Sequence, residues 1–163
     1  VHFVVSLGYS PYPDEVWLYH VDGTLVHTFT GHTSSVVAVA VTPDGQHIIS
    51  GAGDKLVKVW SVATKSLVST CAGHTSDVFA VAAMPDGQRI LSGGDDNTVR
   101  VWLLNGTLEN TFELHTRAVR ALALRPRVEA QAARRAHELV GVGHRRGGAV
   151  DHGTHSYKYC ILG

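Results

Sequence analysis

A serine, a histidine and an aspartate occur twice at the same separations in this 163-residue chain. Ser50 lies 18 residues after His32, Asp54 follows by 4 and Trp60 by 6 more, and His74, Ser92, Asp96 and Trp102 repeat the pattern. These residue types can do nucleophilic chemistry, in which a histidine takes the proton of a serine hydroxyl while a carboxylate orients the ring. The duplication argues against that use. Catalysis needs one such site, and here each repeat would carry its own. No catalytic residue is expected, and the chain is read as a non-enzyme.

Eleven histidines also raise the question of metal binding. His32, His74 and His115 occupy corresponding repeat positions, so they belong to different units and cannot share one ion. His137, His144, His152 and His155 lie in the same C-terminal stretch as Cys160. There, His152-Gly153-Thr154-His155 has no second pair such as Cys-x-x-Cys to complete a ligand set. No metal site and no cofactor are expected. Gly141-Val142-Gly143 lacks the third glycine of a phosphate-binding loop and has no clear strand before it. Arg145-Arg146 is too short to form a nucleic-acid patch.

The elements that must position the repeated residues are short strands. Gly31-His32-Thr33-Ser34 returns as Gly73-His74-Thr75-Ser76, and Pro43-Asp44-Gly45-Gln46 returns as Pro85-Asp86-Gly87-Gln88. Ser50-Gly51 returns as Ser92-Gly93, and Val57-Lys58-Val59-Trp60 as Val99-Arg100-Val101-Trp102, all 42 residues on. Within one unit, residues 36–41 form an apolar run of strand length. Pro43-Asp44-Gly45 turns the chain, and His47–Ser50 makes a second strand. Gly51-Ala52-Gly53-Asp54 turns it again. Leu56–Trp60 alternates as a third strand, and Ser66–Thr70 forms a fourth. Four short antiparallel strands per 42 residues describe one blade of a β-propeller.

On these motifs the sequence resembles the WD-repeat (β-transducin-like) propeller family. That family is marked by a Gly-His pair, a Ser-Gly…Asp turn and a terminal Trp-Asp. The likeness is strong over residues 31–112, partial over 16–30 and 115–125, and absent from 126–163. The Asp after Trp is missing throughout, with Leu18, Ser61 and Leu103 in its place. Leu114 replaces the Gly before His115, and Pro11 stands where the first unit should carry its Asp. The resemblance implies an all-β fold, an incomplete propeller of two whole four-stranded blades plus two partial ones, with an irregular C-terminal tail. It divides the chain into a partial blade (1–30), blades at 31–72 and 73–113, the start of a further blade (114–125) and the tail (126–163).

The resemblance also implies roles. His32, Ser50, Asp54 and Trp60, and likewise His74, Ser92, Asp96 and Trp102, would form a buried hydrogen-bonded chain in each blade. Physical chemistry supports this, since a buried indole N–H needs an acceptor and a hydroxyl can accept and donate at once. Partner binding falls on the loop face, at Ser34, Ser35, Ser76, Asp77, Arg117 and Ala118, where the units differ while agreeing elsewhere. The expected function is a non-catalytic protein-interaction scaffold that binds other proteins or peptides. The alternatives are a regulatory or targeting propeller module of a larger multidomain protein and, behind it, a propeller enzyme or ligand binder.

Composition sets the outer limits. Apolar residues make up 44% of the chain, enough for a packed core. The 14 basic and 14 acidic residues cancel, so no net field draws the chain to nucleic acid or an anionic membrane. No apolar run has the length of a membrane helix. Two cysteines make no disulfide framework, and an intracellular setting is expected, cytoplasmic with the nucleus as the other option.

Residues 126–163 carry 6 basic against 3 acidic residues, reversing the balance of 8 to 11 over 1–125. They lose the repeat in mid-blade, at Pro126-Arg127-Val128. This abrupt loss points to an altered reading frame or to a divergent, disordered or partly helical end. The missing initiator Met and the small blade count predict a fragment of a longer protein. Open sheet edges predict self-association through them.

Overall fold

A computed structural model of the chain describes residues 3–7, 14–124 and 159–162. Among these residues the structure is all-β, with no helix. Strands β1 (Phe3–Leu7), β2 (Val16–His20) and β3 (Leu25–Phe29) form a three-stranded antiparallel sheet. Strands β4 (Val36–Val41), β5 (His47–Ala52), β6 (Leu56–Ser61) and β7 (Ser66–Ala72) form a four-stranded antiparallel sheet in chain order. The same plan returns in β8 (Val78–Ala83), β9 (Arg89–Gly94), β10 (Val99–Leu103) and β11 (Leu108–Phe112). The register irregularities recur with it, between Val36 and Ala38 and between Val78 and Ala80 on the first strand of each sheet. β12 (Ala121–Leu124) opens where a further blade is expected.

One feature departs from the repeat plan. Strand β13 (Tyr159–Leu162) pairs with β12 in parallel, Ala121 opposite Tyr159 and Leu124 opposite Leu162, whereas the other sheets are antiparallel. The stretch expected to be irregular therefore contributes a strand. The helix-forming segment 128–139, the Gly- and His-rich segment 141–156 and Pro11 lie outside the described residues.

The turns follow from their residues. In Pro43-Asp44-Gly45 and Pro85-Asp86-Gly87 each glycine takes a left-handed conformation, with φ of 70° and 67°, and its N–H closes the turn onto Thr42 O and Met84 O. The carboxylates of Asp44 and Asp86 accept from the backbone N–H of Gln46 and Gln88, the Asx geometry that favours aspartate there.

Sheets stack in chain order and bury apolar side chains between them. Val16, Leu18 and Phe29 pack against Val36, Ile48 and Trp60. Ile49, Val57 and Val59 pack against Val78, Ile90 and Trp102 on the opposite face. Leu91, Val99 and Val101 pack against Val119. Neighbours Ile48 and Ile49 thus serve two different cores, as a strand's alternation requires. Each fully buried isoleucine of this kind contributes about 1.5–3 kcal/mol. Among the described residues the stack does not close into a ring.

Candidate functional site

Within each four-stranded sheet the repeated polar residues meet at one face. His32 lies in the segment entering β4, Ser50 on β5, Asp54 in the turn after it and Trp60 on β6. His32 Nδ1 is 2.7 Å from Asp54 Oδ2, and His32 Nε2 is 2.8 Å from Ser50 Oγ. Trp60 Nε1 donates to the same Ser50 Oγ at 2.8 Å. The second sheet matches closely: His74 Nδ1 to Asp96 Oδ2 is 2.8 Å, His74 Nε2 to Ser92 Oγ 2.7 Å, and Trp102 Nε1 to Ser92 Oγ 2.7 Å.

The donor inventory fixes the direction of each chain. Indole only donates and an ionised carboxylate only accepts, so Nδ1 of each histidine must carry the proton. Nε2 of the neutral ring is then an acceptor, and the serine hydroxyl donates to it while accepting from tryptophan. Burial pushes both imidazoles below their ordinary value, against the opposing pull of Asp54 and Asp96. At Asp96, burial alone would raise the carboxyl. Hydrogen bonds from the Thr75 N–H, from the Thr98 side chain and backbone and from His74 outweigh it and hold it below the usual range. Asp54 Oδ1 and Asp96 Oδ1 also accept from the backbone N–H two residues on, at Leu56 and Thr98, so each aspartate ties the turn to the ring.

Several members of this arrangement carry no clear sequence signal. Thr98 Oγ1 donates to Asp96 Oδ1 at 2.8 Å, a bond the first sheet lacks because Leu56 holds that place. In the first, three-stranded sheet, Trp17 Nε1 donates instead to Glu15 Oε2 at 2.7 Å. Gly31 and Gly73 face the edge of the tryptophan rings. A side chain starting at Gly73 would come within 3.0 Å of Trp102 and 2.8 Å of Arg100. Leu114, which replaces this glycine in the next unit, points into solvent, 84% exposed.

The loop-face residues occupy the rim beside these chains. Ser34 and Ser35 precede β4, Ser76 and Asp77 precede β8, and Arg117 and Ala118 precede Val119, which is buried as Val36 and Val78 are. Ser35 and Arg117 are exposed, and the other four are half-buried. Ser34 and Asp77 come together around Gly53, with Ser34 Oγ and Asp77 Oδ2 at 2.8 Å and 3.6 Å from where a side chain there would begin. Ser76, Arg117 and Ala118 do not join that group. Arg120 stacks over the ring of Phe79 at 4.5 Å on the same rim, a pair the sequence did not single out. His115 is half-buried, and no cluster of three metal-ligating side chains occurs among the described residues. Among them, no helix is long and apolar enough to cross a membrane. The buried thiol of Cys71 is pushed up to about 12 by its burial.

Known proteins supply an independent comparison. The family described as "WD domain, G-beta repeat" matches residues 23–61 and 65–102. The "B-type cell cycle switch protein ccs52A" of Medicago truncatula is 46% identical over 59 residues, covering 36% of this chain and 12% of that protein. The "Anaphase-promoting complex subunit cdh1" of Dictyostelium discoideum is 46% identical over 59 residues, again 36% of this chain but 8% of the relative. A "Ribosome biogenesis protein BOP1 homolog" of Drosophila grimshawi is 50% identical over 36 residues, 22% of this chain and 5% of its own length. The chain thus spans only about an eighth, or less, of the relatives it matches. Strand plan, repeated turns and family match agree, and over residues 23–102 this chain is a tandem pair of WD repeats.

Proposed function

We propose that the two sheets are a rigid frame for protein–protein contact and that the hydrogen-bonded chains are structural, not catalytic. One observation carries this reading: the histidine, serine and tryptophan that repeat in each hydrogen-bonded chain are buried, while the loop residues before the first strand change from unit to unit. Ser50 and Ser92 are fully buried and their oxygens already accept from tryptophan. A nucleophile must be within reach of a substrate carbonyl, and neither fully buried serine is. On the rim, by contrast, Ser35 becomes Asp77 and then Ala118, while Ser34 becomes Ser76 and then Arg117. A frame that holds its interior constant while varying exposed loop residues suits recognition of partners.

The names of two relatives, a cell-cycle switch protein and a subunit of the anaphase-promoting complex, support a regulatory interaction module as the more specific form of this reading. Photocrosslinking amino acids placed at Ser35, Asp77 and Arg117, and separately at Gln46 and Gln88 on the opposite turns, test it. Partner adducts from the first set alone are expected. Adducts from the second set alone, or hydrolytic activity that disappears in Ser50→Ala, overturn it.

A further inference from the structure

Two turns of this chain share one geometry, with aspartate before the glycine in one and asparagine in the other. In the first, His20 N–H donates to Thr24 O, Gly23 N–H donates to His20 O, and Thr24 N–H donates to Asp22 Oδ1 at 2.8 Å, with Gly23 at φ 88°. In the second, Leu103 N–H donates to Thr107 O, Gly106 N–H donates to Leu103 O, and Thr107 N–H donates to Asn105 Oδ1 at 3.0 Å, with Gly106 at φ 91°. Asn105 therefore stands where Asp22 stands, exposed and followed by glycine.

We propose that Asn105 is a self-deamidation site whose β-linked product loosens the seam between the two complete sheets. The bond from Thr107 N–H folds the carboxamide back over the following peptide, which brings Cγ beside the Gly106 nitrogen. The same donor stabilises negative charge on Oδ1 as that nitrogen attacks. Gly106 has no side chain to shield its nitrogen. A bond forms from Gly106 N to Asn105 Cγ as the bond from Cγ to the amide nitrogen breaks. The backbone amide proton leaves with that nitrogen as ammonia, and a cyclic imide remains. Water then adds at either imide carbonyl and breaks one carbon–nitrogen bond, giving aspartate or its β-linked isomer. The Gly106 N–H must first release Leu103 O. An exposed turn at the end of a hairpin is where such local opening costs least.

The consequence lies in what the second turn touches. A side chain starting at Gly106 would lie 2.9 Å from Thr70 O of β7, and Ser69 Oγ donates to Leu104 O at 2.6 Å, so this turn is docked on the preceding sheet. Gly23 has nothing within 4 Å of the same point. Ordinary aspartate at 105 keeps the turn, as Asp22 demonstrates. The β-linked isomer adds a methylene to the main chain and pushes Leu104 or Gly106 off β7.

The test is ageing of the purified full chain at mildly alkaline pH, followed by peptide mapping and thermal melting of each separated form. Asn105 is expected to convert several-fold faster than Asn97 and Asn110, each of which is followed by a branched threonine. The β-linked form is expected to melt below both the fresh chain and N105D, and N105D to melt with the fresh chain. Conversion of Asn105 no faster than the other two, or only after unfolding in urea, overturns the site. A β-linked form that melts with N105D overturns its effect on the seam.

Discussion

Ser50 and Ser92 each serve two partners through a single oxygen, accepting from an indole and donating to an imidazole. The resulting connectivity, hydroxyl to Nε2 and Nδ1–H to carboxylate, is that of a nucleophilic triad. Tryptophan is what separates the two uses, because it caps the serine lone pair and closes the face above it. Removing one member strands the others in a buried setting, where an unpaired polar group costs more than the bond itself contributes. His32→Ala and Asp96→Ala are each expected to lower stability by about 1–3 kcal/mol, the cost of a buried polar partner left unsatisfied. Chemical denaturation at neutral pH measures it. Asp96 gathers the Thr98 side chain as well as the turn amides and the ring, so Asp96→Ala should cost at least as much as Asp54→Ala. An unchanged midpoint in His32→Ala would sink the structural reading of the chains.

At the scale of the strand, the residue after each serine matters as much as the serine. Alternation sends Ser50 and Ser92 toward the tryptophan and Gly51 and Gly93 toward the next sheet. A side chain starting at Gly51 would lie 2.8 Å from Val78 Cγ1 and 3.2 Å from Val78 O, and one at Gly93 would lie 2.5 Å from Val119 Cγ1. The Ser-Gly pair is thus two constraints side by side, a hydrogen bond on one face and a close approach on the other. Gly93→Ala is expected to destabilise by about 1–3 kcal/mol, the usual cost of overpacking. Gly53→Ala meets the Ser34 hydroxyl at 2.8 Å and otherwise only ordinary contacts with Ser34 Cβ and Asp77 Oδ2, and should cost clearly less. Comparing the two melting midpoints checks this, and equal losses would remove the close-approach argument. The repeat made the strand plan legible, because Pro-Asp-Gly and Ser-Gly mark the turns, residues 36–41 read as an apolar run and Leu56–Trp60 as an alternating strand. It could not reveal Glu15 beneath Trp17, Phe79 under Arg120 or the parallel strand β13. Each of these depends on a contact outside the 42-residue period.

For the molecule as a whole, the two buried imidazoles couple folding to pH. Each titrates in the fold below its ordinary value of 6.5, because burial disfavours the cation more than the aspartate favours it. Lys58 near His32 and Arg100 near His74 push the same way, and Asp14 near His32 opposes them. The unfolded chain therefore binds more protons than the fold between the two values, so stability rises with pH across that window. The contribution is complete above about pH 6.5 and is lost as pH falls toward the folded values. Asp96, held below its ordinary 3.8, adds a second loss in stronger acid. The geometry explains the penalty. A proton on Nε2 gives Ser50 or Ser92 a second donor to accept, and leaves the hydroxyl hydrogen with no acceptor in a dry site. The melting midpoint should be flat above about pH 6.5 and fall below it, whereas a His32→Asn, His74→Asn double variant starts lower and loses that slope. A midpoint that rises on mild acidification would mean the rings are held as cations, which reverses the bond between Nε2 and the serine in each chain. An identical slope in the double variant would assign the acid sensitivity to other histidines.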